Sequence, residues 1–91
     1  MEKIVTGKQA RHVIIVSAEV MTEDRWQILK DRLELWLPEN GQAAHRNGFT
    51  TVGQCKGWLV KMLKKPGWPS ATTWELWRHT DGRWLAYERK E

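Results

Sequence analysis

Cys55 and the three histidines, His12, His45 and His79, are the side chains of this 91-residue chain best suited to act as nucleophile, base or soft metal ligand. Their spacing supports none of these roles. A metal site or an activated thiol needs partners at motif spacing, and these four residues stand singly. Cys55 also falls in the middle of an apolar stripe, where a cysteine behaves as a small inert hydrophobe. No Ser/His/Asp grouping, glycine-rich phosphate loop or paired-carboxylate arrangement can be read from spacing. The expectation is a protein that is not an enzyme and uses neither metal nor cofactor.

What stands out instead is charge. Residues 40–74 contain five Lys/Arg and no Asp or Glu, whereas residues 1–39 hold six Lys/Arg against seven acids and residues 75–91 hold four against four. The excess behind the net charge of +4 therefore lies in the middle of the chain. A solvated basic face is the plain reading. The sharper one is an electrostatic footprint for phosphate or for an acidic protein surface. On that reading Gln54, Lys56 and Lys61 would face bases or phosphates, and Arg46, Lys64, Lys65, Arg78 and Arg83 would contact the backbone. Trp68, Trp77 and Trp84, three of seven tryptophans, would add aromatic faces able to stack unpaired bases at about 1–3 kcal/mol per base.

Those residues must be positioned by a chain long enough for a single modest core, which implies one domain over residues 1–91. The run HVIIVSAEV, residues 12–20, is β-branched and nearly continuous and reads as a buried strand. Thr22 is the expected N-cap of an amphipathic helix that carries Trp26, Leu29, Leu33, Trp36 and Leu37 at helical spacing and stops at Pro38. Ile28 and Leu35 form a second stripe, which suits packing on two sides or a partner subunit in a homodimer. Residues 39–48 read as a connection. A second helix over about 50–65 turns Val52, Cys55, Leu59, Met62 and Leu63 inward and Gln54, Lys61, Lys64 and Lys65 outward, with Gly53 and Gly57 on the outward side. Each glycine costs such a helix roughly 1 kcal/mol relative to Ala, which suggests close approach of another backbone.

Two alternating runs joined by Asp81-Gly82 predict a β-hairpin with a two-residue type I′ turn. That turn pairs Arg78 with Leu85 and Leu76 with Tyr87, and directs Leu76, Leu85 and Tyr87 to the core. Trp77, His79 and Trp84 would then form an outer aromatic patch. The expected fold is a small α+β domain of one N-terminal strand, two helices and a C-terminal hairpin. Its three strands form an antiparallel sheet packed on one face by both helices.

Ala44-His45-Arg46-Asn47-Gly48 followed by Phe49 resembles the tight turn of a helix-turn-helix unit. The order of elements over residues 22–89 is similar to that of winged helix-turn-helix proteins, which makes a winged helix the alternative fold. Gln54 and Gly57 stand where that motif's second helix is apolar, so no family residue is carried over. Together these features suggest a small nucleic-acid-binding regulator or accessory factor, with DNA ahead of RNA as partner. The alternative is an interaction module or inhibitor docking its basic, Trp-rich face on an acidic or nucleic-acid-binding protein surface. A lone cysteine, the lack of a signal-peptide layout and the absence of any apolar run near 20 residues suggest a cytoplasmic location and no membrane partner.

Overall fold

The computed structural model describes residues 3–6, 10–37, 47–67 and 72–90. The predicted strand is present and longer than expected but is not buried along its length, since Ile15 and Val16 are exposed: β2, Ala10–Met21, follows a short β1, Lys3–Thr6, with which it pairs antiparallel. The C-terminal hairpin consists of β4, Thr73–His79, and β5, Trp84–Arg89. β2 lies beside β4 in parallel register, with Ile14 opposite Trp74 and Val16 opposite Leu76. A parallel neighbour requires a long crossover, here the whole stretch between Met21 and Thr73. The sheet has five strands in the order β1-β2-β4-β5-β3, mixed rather than all antiparallel, with four strands forming its body beside the short β1 edge. The expected three-stranded antiparallel sheet is corrected accordingly.

β3 comes from residues expected to be helical. Helix α1 covers Glu23–Leu29 alone, capped by the Thr22 hydroxyl, which accepts from the Arg25 N–H at 3.1 Å. After a turn, Leu33–Trp36 forms β3, antiparallel to β5. Leu-Glu-Leu-Trp fits a helical stripe and a period of two equally well, and the free edge of β5 supplies the hydrogen bonds that decide between them. Leu33 and Leu35 then share one face, while Trp36 on the other donates its indole N–H to Glu88 at 2.8 Å and meets Trp74 edge-on.

The hairpin differs from expectation by one residue. Gly82 has φ +89° and Asp81 does not have positive φ, so the turn is not type I′, which needs left-handed backbone at both positions. Instead the Gly82 N–H reaches the His79 carbonyl at 2.9 Å and the His79 N–H reaches Arg83 at 2.8 Å, enclosing a three-residue loop. Leu76 therefore pairs with Ala86, and Trp77 with Leu85. A one-residue slip moves one strand's side chains to the other face relative to its partner's.

Both faces of the sheet are consequently apolar. Trp74, Leu76 and Ala86 pack with Phe49, Cys55 and Leu59 beneath α2, Val52–Leu63. On the reverse, Trp77, Leu85 and Tyr87 pack with Met21, Leu29 and Leu33 beneath α1. The helices cover opposite faces, not one. α1 and α2, lying on opposite faces, do not form the helix pair of a winged helix, and residues 41–46, which carry most of the helix-turn-helix resemblance, lie outside the described residues. Trp77 is 5% exposed, so the expected outer patch of Trp77, His79 and Trp84 does not form.

Candidate nucleic-acid interface

α2 is built to turn one side outward. Thr51 caps it by accepting from the Gln54 N–H at 3.2 Å. Cys55 and Leu59 are fully buried against the sheet, and Val52, Trp58 and Leu63 flank them. The 3.6-residue period therefore sends Gly53, Gln54, Lys56, Gly57 and Lys61 to solvent, all exposed, with Lys64 as C-cap and Lys65 just beyond. A Cβ added at Gly57 would meet nothing within 4 Å, and at Gly53 would meet only the Thr51 hydroxyl at 4.0 Å. Among the described residues, no neighbouring segment approaches these glycines.

Electrostatically this face has no counterweight among the described residues. The ion pairs there are Arg25–Glu19, Arg83–Asp81 and Arg89–Glu75, none of which involves a lysine of α2 or the two lysines that follow it. Lys61, Lys64 and Lys65 thus face solvent at and after the end of α2, as periodicity suggested, and Lys56 is exposed nearer its start. Arg78 is exposed on the same side of the sheet, opposite Trp84.

The remaining candidates are placed differently. Arg83 is a structural clamp: its guanidinium donates to Asp81 at 2.7 Å and to the Asn47 carbonyl at 3.0 Å, and its stem packs where a Cβ on Gly48 would otherwise sit. That clamp holds the segment in which Phe49 bridges to Trp84, immediately before α2. The Gln54 side-chain oxygen accepts from Thr50 at 2.6 Å. Trp77 lies on the opposite face of the sheet, its indole N–H on Glu75 at 2.8 Å. Arg46 and Trp68 lie outside the described residues.

Sequence reasoning missed the pairing of His79 with Tyr87. The His79 Nε2 and the Tyr87 hydroxyl share a hydrogen bond, and the rings stack at 6.0 Å. Burial holds the imidazole below its ordinary pKa, the Arg83 charge adds to this, and Asp81 opposes it. Burial likewise raises the Tyr87 phenol. The alternation of β4 and β5 could have signalled the pairing had the turn length been read correctly. Burial pushes the Cys55 thiol up to about 12. No family model, curated protein or solved structure matches the chain.

Proposed function

We propose that the protein is a non-enzymatic nucleic-acid-binding module that lays the outward face of α2 along a phosphate backbone. The observation that carries this reading is the set of four exposed lysines on and just after α2, Lys56, Lys61, Lys64 and Lys65, with no ion-pair partner among the described residues and within a 35-residue stretch that has no acid. Measured along the helix direction the set spans roughly 13 Å at about 1.5 Å per residue. One strand of duplex DNA presents a phosphate about every 3.4 Å of axis, so roughly four phosphates fall within reach. Arg78 extends the surface. The open backbone at Gly53 and Gly57 allows a rigid anionic strand to approach closely. With Trp77 in the core, duplex backbone is favoured over stacked single-stranded bases.

Binding of a labelled duplex as a function of salt tests this directly. Four neutralised phosphates predict a log–log slope of about −3 to −4 and a loss of about a hundredfold between roughly 50 and 200 mM salt. Lys61→Ala and Lys64→Ala should each reduce the slope by about one. Absence of binding at low salt would reject the reading. The same face could dock on an acidic protein groove, and a stable complex that survives nuclease treatment would favour that alternative.

A further inference from the structure

A second cationic feature lies on the opposite side of the sheet, between α1 and the ends of β4 and β5. It is a cleft of about 410 Å³, within the range that small-molecule sites occupy. Arg25, Arg32, Arg89 and Lys90 line it together with Glu19 and Glu75. Four cations against two carboxylates leave the cleft with a net charge of +2. Leu29, Leu33 and Trp77 form its floor.

The two carboxylates are already engaged. Glu19 accepts from Arg25 at 2.9 Å, while Glu75, whose side chain is 12% exposed, accepts from Arg89 on one oxygen and from the Trp77 indole on the other. Among the described residues the Lys90 ammonium donates to the Lys30 carbonyl alone, at 3.3 Å. The Arg32 guanidinium makes no hydrogen bond or ion pair among the described residues; its residue is anchored through its backbone carbonyl, which accepts from the Lys90 N–H at 2.7 Å. Two fixed ion pairs thus frame two cations that have no carboxylate partner among the described residues.

We propose that this cleft is a binding site for a phosphate monoester. Such a group carries about −1.5 to −2 charge at neutral pH, close to the surplus here. A guanidinium fork matches its oxygens in a way that a point charge does not. Arg32 and Lys90 bind the phosphate, Arg25 and Arg89 border it, and the apolar floor receives the carbon portion of the ester. The inference does not depend on the α2 reading, because the two surfaces lie on opposite faces of the sheet.

The test is a titration of the full chain with phenyl phosphate, followed by the ¹H–¹⁵N resonance of the Trp77 indole, with inorganic phosphate and phenol as comparison probes. The expected result is a saturable shift at Trp77, tighter for phenyl phosphate than for inorganic phosphate and absent for phenol. Arg32→Ala should weaken binding at least about tenfold, without loss of fold because the side chain is exposed. Lys61→Ala should leave the titration unchanged. No saturable shift at Trp77, an equal response to phenol, or an unaltered affinity in Arg32→Ala would each overturn the proposal.

Discussion

At the scale of single residues, His79 and Tyr87 make a measurable commitment to the neutral imidazole. Burial, with the Arg83 charge second, lowers the pKa of His79 in the folded state relative to its ordinary value of 6.5. The unfolded chain therefore binds more protons than the native one just below that value, and stability rises with pH there. His79's contribution is complete above about pH 6.5 and is lost as pH falls through the unfolded pKa toward the folded one. Urea midpoints measured from pH 7.5 down to 5.5, above the main carboxylate range, should decline. His79→Gln should flatten that decline, and an unchanged profile in the variant would show that the imidazole is not its source. Tyr87→Phe removes the hydroxyl partner and should cost about 1 kcal/mol at pH 7.5. Arg83 shows the opposite case at this scale. Its charge suggested a phosphate contact, yet its partners, Asp81 and Asn47, make it a fastener for the approach to α2.

At the scale of elements, two glycines respond in opposite directions to the same substitution. Gly82 sits at φ +89° with open space around it, so Gly82→Ala meets backbone strain without a clash and should cost about 1–2 kcal/mol. Gly57 is in a helix interior, also in open space, and Gly57→Ala should stabilise by about 0.5–1 kcal/mol. In a domain of this size each 1 kcal/mol shifts the melting temperature by about 4–8 °C, so two thermal melts separate the effects. These elements also show what was legible in the chain. The β-branched run, the Thr22 cap of α1 and the punctuation at Asp81-Gly82 are local signals, and all three appear in the structure. The lysine face of α2 was legible for the same reason, since one helix's periodicity sets it. Residues 33–36 were not, because their state depends on β5, a partner strand distant in sequence, and the hairpin register was not, because Asp-Gly suits a two-residue and a three-residue loop alike. The expectation that both helices cover one face is what misplaced Trp77 among the surface candidates, since α1 buries the face it occupies.

For the whole molecule, the sheet is a wall shared by two cores. Leu76 and Trp77 are adjacent in β4, yet Leu76 supports the α2 side and Trp77 the α1 side. α1 spans only seven residues, far below the length at which an isolated helix holds itself together. It persists through Leu29 and the half-buried Trp26, packed on a sheet that α2 closes from behind. Loss of packing on one face should therefore loosen the other. Leu59, fully buried under α2, tests this: Leu59→Ala should cost about 2–5 kcal/mol, a large share of the roughly 5–15 kcal/mol typical of a domain. Tryptophan fluorescence samples both faces and far-UV circular dichroism samples the backbone, so a single cooperative unit requires their urea transitions to coincide in the wild type and to move together in the variant. Leu29→Ala, on the α1 side, should shift both transitions in the same coincident way. Two separated transitions in either variant would mean that the faces melt independently, and that α1, together with the cationic cleft beside it, could be lost while α2 keeps its lysines in place.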